Sequence, residues 1–287
     1  MKKIYSKISD SLEIGDDFPT VIMGVLNLSP ESFYQGSVYS DDYSLENAAL
    51  SMIKNGAKML DLGARSTAPW SKRISLEEEI NRLTPAMELV CKIIPNNIII
   101  SVDTQYSRVA QVAQEISLKY KKKIIINDVS CLKTDPSLQN FIVENNLPVI
   151  LMASKKIPGD LCTIEEIVNE FEKTIKNLKV NGYNENNIIL DPGIGKWIEK
   201  KVYTYDLQII GKLNKLRQIN KPILVAVSRK SFIGTTLNIP NPEDRLNGTL
   251  SATAIAVFNG AHVVRTHDVN NQLLDIVKMA EEIRRYQ

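Results

Sequence analysis

The stretch IIISVDT (98–104) contains the pattern that decides the fold, because an apolar run ends there in a polar residue, Asp103. The next run, KKIIINDVS (122–130), ends in the same way at Asn127 and Asp128. Five more runs repeat the pattern: VIMGVLN (21–27), KMLDLG (58–63), IILDPG (188–193), ILVAVSRK (223–230) and HVVRTHD (262–268). Repeated apolar strands that end in polar side chains are typical of a parallel barrel, whose active site lies at the carboxyl ends of its strands.

Stretches with helical periodicity separate these runs, so that eight strand-then-helix units follow one another. The strands are short and rich in Ile, Val and Leu, as expected for strands buried on both faces of a parallel sheet. We predict strands over 21–26, 58–62, 97–102, 123–127, 148–152, 187–191, 222–227 and 262–265. We predict helices over 44–55, 75–92, 105–119, 136–145, 163–180, 203–217, 243–259 and 269–285.

Eight alternations favour a single α/β domain of the (β/α)8 TIM-barrel class. An open sheet built from the same units is the alternative. We expect residues 1–20 to form an N-terminal extension, as a strand or hairpin that closes the bottom of the barrel. Residues 21–287 then form the barrel itself, which agrees with the roughly 250 residues that such barrels occupy.

The bulk composition excludes several classes of partner. The chain is 44% hydrophobic and 24% charged, which is ordinary for a soluble enzyme, and its net charge of +2 is too small to indicate nucleic acid or a membrane surface. No apolar run approaches the roughly 20 residues that span a bilayer, and the N-terminus lacks the apolar segment of a secretory signal. The three cysteines have no metal-ligand spacing. We therefore expect a cytoplasmic protein that acts on small molecules.

Three polar residues at predicted strand ends form the first candidate group. Asp103, Asn127 and Asp191 follow the third, fourth and sixth strands, so that their side chains can converge in the mouth of the barrel. Two carboxylates and an amide suit a flat heterocycle with amino and ring N–H groups. The alternative is that each residue caps a helix or forms a turn, positions that Asp and Asn favour.

A cationic group follows the last two strands and consists of Arg229, Lys230, Arg265 and His267. Phosphate sites in barrels often lie on the loops after these two strands, and arginine and lysine neutralise phosphate charge. A solvated basic rim is the alternative. After the first strand, Asn27 can orient a diphosphate or a metal ion through its carbonyl oxygen. No carboxylate cage is visible in the sequence, so any Mg²⁺ would be held largely by substrate phosphate and water.

Seven motifs in order resemble the pterin-binding family, and within it the dihydropteroate synthases. They are MGVLNLSPESF (23–33), DLGARSTAP (61–69), SVDT (101–104), IIINDVS (124–130), LDPGIG (190–195), SRKSFIG (228–234) and RTHDV (265–269). Any one motif is weak evidence, whereas seven in the order of the family are strong evidence.

The resemblance implies a barrel that binds 6-hydroxymethyl-7,8-dihydropterin diphosphate and joins the pterin to an arylamine through a new C–N bond. It implies pterin binding by Asp103, Asn127, Asp191 and Lys230. It implies diphosphate binding, with Mg²⁺ at Asn27, by Asn27, Arg265 and His267. Asp103, Lys230 and Arg265 are then the catalytic residues, and the second substrate and its loops involve Arg65, Ser66, Thr67 and Ser228. The resemblance also implies a homodimer.

The chain departs from the family pattern at four places on the expected substrate face. Arg65 stands where the family usually has Glu, Ala68 replaces an Arg, and Glu31 replaces an Asp. Ala153 stands in the place of a His, and GKWIEKK (195–201) replaces the usual Phe-Gly-Lys order. The resemblance implies p-aminobenzoate as acceptor, in folate biosynthesis. These changes and the lysines at 155, 156 and 196 suit a larger, phosphorylated arylamine instead, as in tetrahydromethanopterin-type biosynthesis.

Two other functions use the same pocket. A pterin-dependent methyltransferase subunit that acts on a corrinoid protein needs the Asp–Asn–Asp group but no diphosphate site, so Lys230, Arg265 and His267 argue against it. A non-catalytic pterin-binding protein is the third possibility, since the altered loops are compatible with a loss of catalysis.

Overall fold

Eight parallel strands with intervening helices form the centre of the computed structural model, which describes residues 3–31, 34, 36, 38–39, 41–67 and 71–286. An antiparallel hairpin precedes them, with β1 at Tyr5–Ser9 and β2 at Leu12–Gly15. The strands of the main sheet are β3 Val21–Asn27, β4 Met59–Gly63, β5 Ile99–Asp103, β6 Ile124–Asp128, β7 Val149–Met152, β8 Ile188–Asp191, β9 Leu224–Val225 and β10 Val263–Thr266. Ala68, at one of the departures from the family pattern, and Ser32, within the motif MGVLNLSPESF, lie outside the described residues.

The sheet closes into a barrel, which confirms the predicted fold class. Its strand order is β8-β7-β6-β5-β4-β3-β10-β9, and a parallel bridge between Leu190 and Ile223 joins the two ends. The N–H of Leu190 also donates to the carbonyl of Pro222 at 2.9 Å. The predicted strand over 222–227 shortens to two residues. Pro222 has no N–H to donate, and Arg229, with φ at 56°, turns the chain at the other end.

Nine α-helices lie among the described residues: α1 Asp42–Lys54, α2 Leu76–Ile93, α3 Ser107–Lys119, α4 Pro136–Glu144, α5 Ile164–Val180, α6 Tyr203–Gly211, α7 Ser231–Leu237, α8 Leu246–Phe258 and α9 Asn271–Arg285. The helix predicted over 203–217 was too long, because α6 ends at Gly211 and a 3₁₀ segment follows over Leu213–Ile219. Glycine is a poor helix former, which accounts for the break. The seven-residue α7 was not predicted.

The interior of the barrel is an apolar layer that includes the hairpin. Ile8, Leu12 and Ile14 of the hairpin belong to one buried cluster with inward-facing strand residues such as Met59 and Ile99. Ile14 is completely buried. The hairpin therefore adds its side chains to the barrel interior. The division of the chain into an extension over 1–20 and a barrel over 21–287 stays a prediction.

Asp16, directly after the hairpin, is held by two cationic or polar partners from the barrel. Arg217 donates to both of its carboxylate oxygens at 2.8 Å, and His262 Nε2 lies 3.2 Å from Oδ1. Burial acts to raise the pKa of Asp16, but the hydrogen bonds from His262 and Arg217 outweigh it and hold the pKa well below its usual range. The second ring nitrogen of the buried His262, Nδ1, accepts from the N–H of Ile223 at 3.2 Å.

We predict that Asp16→Asn lowers the free energy of unfolding at pH 7 by about 1–3 kcal/mol, because it removes the charged acceptor of a paired arginine. A carboxyl group with a lowered folded pKa stabilises the protein above its unfolded pKa of about 4, and this contribution is lost as the pH falls below it. Urea denaturation at pH 7 and pH 3 measures both effects. The control is Asp17→Asn, since Asp17 pairs with Lys3 in solvent and should change stability by less than about 0.5 kcal/mol. Equal effects of the two variants would refute the prediction.

Candidate active site

A cavity of about 250 Å³ opens at the carboxyl ends of the barrel strands. The structure brings together at its wall most of the predicted site residues, namely Asn27, Arg65, Ser66, Thr67, Asp103, Asn127, Asp191, Lys230, Arg265 and His267. Ser228 does not line the cavity, and it is buried behind His267. Other lining residues, which were not predicted from the sequence, include Val129, Met152, Ala226 and Arg245.

The polar wall has a simple origin in the period of the strands. Side chains two residues apart on a strand share a face. The apolar interior layer contains Met59, Ile99, Ile125 and Val263. Two residues further along the same four strands stand Asp61, Ser101, Asn127 and Arg265. The barrel therefore has an apolar layer of side chains and, next to it along the strands, the polar layer that forms the site.

Arg265 joins two carboxylates at the centre of this polar layer. Its Nε donates to Asp61 Oδ2 at 2.6 Å, and its Nη2 donates to Asp103 Oδ2 at 3.2 Å. Asp61 is completely buried and also accepts from Asn127 Nδ2 at 3.2 Å and from the Ser101 hydroxyl. The sequence analysis missed the role of Asp61. A carboxylate between the apolar residues of KMLDLG was a signal, because a buried charge requires a buried partner.

Only one of the two carboxylate oxygens of Asp103 has a hydrogen-bond partner among the described residues. Oδ2 accepts from Arg265, whereas Oδ1 is buried and has no hydrogen-bond partner among the described residues. Burial and the adjacent Asp61 raise the pKa of Asp103 above its ordinary value, and Arg265 opposes them. Buried polar atoms are almost always paired, so a lone carboxylate oxygen at a cavity wall is suited to an N–H group of a ligand.

Lys230 and Asp191 both line the cavity and can carry opposite charges. The Lys230 ammonium donates to the carbonyl of Ile194 at 2.5 Å and lies 5.7 Å from the ring centre of Trp197. Burial lowers the pKa of Lys230 to about 8, against the opposing attraction of Asp191. Burial also raises the pKa of Asp191, whose Oδ1 accepts from the N–H of Gly193 at 2.8 Å. Lys230 is therefore a cation that can lose its proton just above neutral pH.

The predicted cationic group is smaller in the structure than in the sequence. Arg229 is paired with Asp268 at 2.7 and 2.8 Å and does not line the cavity. Burial, followed by repulsion from Arg265, lowers the pKa of His267 to about 3, so that its ring is neutral at pH 7. Of the four residues predicted as cationic, Lys230 and Arg265 are therefore the two that place a positive charge at the cavity wall.

Ser228 orients the neutral imidazole of His267. The Ser228 hydroxyl accepts from the backbone N–H of His267 at 3.3 Å, and its own hydrogen is available for His267 Nδ1 at 2.9 Å. His267 is consequently a neutral ring at the cavity, with one nitrogen that donates and one that accepts.

Only some of the residues that depart from the family pattern line the cavity. Lys196 and Trp197 line the cavity, whereas Ala153 is buried. Lys155 and Lys156 are exposed and do not line the cavity, so the structure does not bring them to the site. Arg65 lines the cavity, but its guanidinium is paired with Glu79 of α2.

Comparison with known proteins identifies the family of the chain. A family model described as "Pterin binding enzyme" matches residues 23–267. The chain is 35% identical over 265 residues to the dihydropteroate synthase of Bacillus subtilis (strain 168), in an alignment that covers 91% of this chain and 88% of that protein.

Two solved structures share the fold over nearly the whole chain. A dihydropteroate synthase from Coxiella burnetii, solved in complex with pteroic acid, is 31% identical with a TM-score of 0.84 and covers 99% of this chain and 100% of that one. The Xanthomonas albilineans dihydropteroate synthase with 4-aminobenzoic acid is 25% identical with a TM-score of 0.81, and each chain is covered to 99%. On this evidence the chain belongs to the pterin-binding enzyme family.

Proposed function

We propose that this protein is a transferase that catalyses the dihydropteroate synthase reaction of folate biosynthesis. It joins the pterin of 6-hydroxymethyl-7,8-dihydropterin diphosphate to an arylamine through a new C–N bond and releases diphosphate. Support comes from the Asp61–Arg265–Asp103 group, which leaves Asp103 Oδ1 buried at the cavity wall without a partner among the described residues. A pterin ring offers the N–H groups that such an oxygen accepts.

The pterin binds at the inner end of the cavity. Asp103, Asn127 and Asp191 accept and donate hydrogen bonds along the edge of the ring, and the Lys230 ammonium donates to its oxygen or nitrogen atoms. Apolar side chains that line the same cavity, such as Met152, can contact the ring face. A flat ligand between apolar walls with a few fixed polar groups at its edge is the usual arrangement of a small-molecule site.

The diphosphate binds at the outer end, near Asn27, Arg265 and His267. Arg265 offers charge and His267 offers a neutral N–H donor, both suited to phosphate oxygens. No cluster of three or more acidic, histidine or cysteine side chains among the described residues could hold a metal ion. Oxygen atoms of Asn27 and Ser29 nevertheless line the cavity. Such a donor set fits a Mg²⁺ ion that is bound mainly by the diphosphate and by water, and that neutralises charge on the leaving group.

The reaction breaks the bond between the pterin methylene carbon and the diphosphate oxygen, and the electron pair of that bond stays with diphosphate. The positive charge that develops on the methylene spreads into the ring. The nitrogen lone pair of the arylamine then forms the new C–N bond, and the nitrogen loses a proton to solvent. Arg265 stabilises the departing negative charge.

Asp103 stabilises the positive charge that develops on the pterin. Because its pKa is raised in the free protein, its carboxylate form is poorly stabilised there. A cationic ring beside it favours the carboxylate, so the interaction is stronger in the transition state than in the ground state. Interactions of this kind lower the barrier rather than only the Michaelis constant.

We propose p-aminobenzoate as the acceptor. Thr67, Lys196 and Trp197 line the cavity together with the pterin-binding group. An aromatic acceptor with a carboxylate suits the indole ring of Trp197 and the ammonium of Lys196. Because Lys155 and Lys156 do not line the cavity, the described residues favour p-aminobenzoate over a larger, phosphorylated arylamine.

The direct test incubates purified protein with 6-hydroxymethyl-7,8-dihydropterin diphosphate, Mg²⁺ and p-aminobenzoate. We expect diphosphate and dihydropteroate to form in equal amounts, and Asp103→Asn to lower kcat by about 10²–10³-fold while the variant stays folded. A parallel reaction with a phosphorylated aminobenzene riboside identifies the better acceptor. Release of no diphosphate with either arylamine would exclude the synthase and favour the methyltransferase or the non-catalytic protein.

The pH dependence of kcat/KM should be bell-shaped, because kcat/KM reports the ionisations of the free enzyme. Activity should rise as Asp103 ionises, at a pH above that of an ordinary aspartate. It should fall above about pH 8, where Lys230 loses its charge. Lys230→Arg should move the alkaline limb to higher pH, since arginine stays protonated there. An alkaline limb that is the same in this variant would show that another group titrates.

We also propose a homodimer in a reducing, cytoplasmic compartment. Cys91, Cys131 and Cys162 are unpaired, and no described helix has the length and apolar character that crossing a membrane requires. Helix α8 packs between α6 and α9, and exposed apolar side chains on these helices include Leu207, Ile255, Met279 and Ile283. An exposed apolar surface of this kind suits a protein interface.

Light scattering after size-exclusion chromatography should give the mass of a dimer for the wild-type protein. Ile255→Asp should convert it to a monomer, because a charge at the centre of an apolar interface cannot be paired. The control is Leu118→Asp on α3, where the replaced side chain is also exposed but lies away from α8. A wild-type monomer at micromolar concentration would refute the dimer.

A further inference from the structure

The first turns of α2 contact the loops that follow three successive strands of the barrel. Glu79 is completely buried on this helix. Its Oε1 accepts from the hydroxyl of Thr104 at 2.8 Å, and its Oε2 accepts from Arg65 Nε. Thr104 directly follows Asp103, and Arg65 follows β4. One carboxylate thus ties two loops of the cavity mouth to the same helix.

Arg65 has little freedom to bind a ligand through its guanidinium. Besides Glu79, Nη1 donates to the carbonyl of Ile74 at 2.7 Å and Nη2 to that of Ser75 at 3.1 Å. The guanidinium also lies 5.0 Å from the ring centre of Tyr106. Each of its three nitrogen atoms has a protein acceptor. Arg65 therefore anchors its loop on α2, although the change from Glu to Arg in the family pattern suggested a new cation for the substrate.

Arg82, one turn further along α2, holds the loop after β3. It donates to both carboxylate oxygens of Glu31, at 2.9 and 3.1 Å, and to Glu78 at 2.6 Å. It also lies 3.4 Å from the carbonyl of Ala64, beside Arg65. Bidentate pairs of arginine and carboxylate fix geometry as well as charge. Glu31 departs from the family pattern, and its longer side chain is the one that reaches Arg82.

Glu31 in turn fixes the hydroxyl of Ser29, which is buried and lines the cavity. Ser29 Oγ donates to Glu31 Oε2 at 2.6 Å. Because Arg82 donates to both oxygens of this carboxylate, Glu31 is the acceptor for Ser29. The single hydroxyl hydrogen of Ser29 is therefore used, and its oxygen offers lone pairs to the cavity. Lone pairs beside Asn27 suit a cation carried by a diphosphate.

We propose that Arg82 is a positioning residue, which acts through Glu31 and Ser29 to set the diphosphate end of the active site. The inference rests on the proposed function and goes beyond it by assigning a role to a helix residue that does not line the cavity. The pterin end should not depend on Arg82, since no hydrogen bond or ion pair found among the described residues joins it to Asp103, Asn127 or Lys230.

The experiment measures binding by calorimetry in the presence of Mg²⁺, with 6-hydroxymethylpterin as one ligand and its diphosphate as the other. We expect Arg82→Met to weaken diphosphate ligand binding by about tenfold, equivalent to one lost interaction of about 1.4 kcal/mol, and to leave pterin binding unchanged. Arg82→Lys should recover part of the loss. Glu31→Gln should match Arg82→Met, and the double variant should be no weaker than either single variant, because both act through one pair.

The matched control is Lys92→Met, which removes an exposed cation from the other end of the same helix. Unchanged pterin binding by Arg82→Met also shows that this variant is folded. Wild-type affinity for both ligands in Arg82→Met, equal loss of both, or additive effects of the two single variants would each overturn the positioning role. Wild-type protein that binds the pterin but gains nothing from the diphosphate would instead refute the proposed function.

Discussion

The site depends on the placement of Arg265 between two carboxylates in the mouth of the barrel. Asp61 and Asp103 hold its guanidinium at 2.6 and 3.2 Å, and Asp61 is completely buried. Neither the arginine nor the carboxylates could stay in this layer without a charged partner, because an unpaired ion in a protein interior is costly. Burial raises the pKa of Asp103, and the second carboxylate, Asp61, raises it further. The geometry that pairs these charges therefore also sets the charge state of a carboxyl group at the cavity.

The closed sheet makes this arrangement possible. β10 pairs with β3, β3 with β4, and β4 with β5, so Arg265 crosses the barrel mouth to carboxylates from strands that are not its direct neighbours. In an open sheet the same side chains would stand in a row along one edge. Burial, followed by repulsion from Arg265 on the same wall, lowers the pKa of His267 and accounts for its neutral ring.

The fold could be predicted from the sequence because its signals are local. Apolar runs mark buried strands, and the capping box of Thr163 and Glu166 is present at the start of α5 as its residues indicate. The strand ends also located the cavity. The charge states could not be predicted, because they depend on contacts between distant residues: Asp61 and Arg265 are 204 positions apart. Helix α7 was missed since seven residues are too few to show a helical period.

The departures from the family pattern acquire a different meaning in three dimensions. In the sequence, a new arginine at position 65 suggests a new substrate contact. In the structure, Glu79 neutralises that arginine and Arg82 pairs with Glu31, so both altered positions are matched by partners on α2. These ion pairs hold the loops after β3 and β4 on α2 and use the charges of the two altered side chains. The unaltered residues Asp103, Asn127, Asp191 and Lys230 line the cavity, and so do Lys196 and Trp197 of an altered stretch. The altered Arg65 and Glu31 hold their loops on α2. Divergence in the rim of this barrel is therefore compatible with unchanged chemistry at its centre.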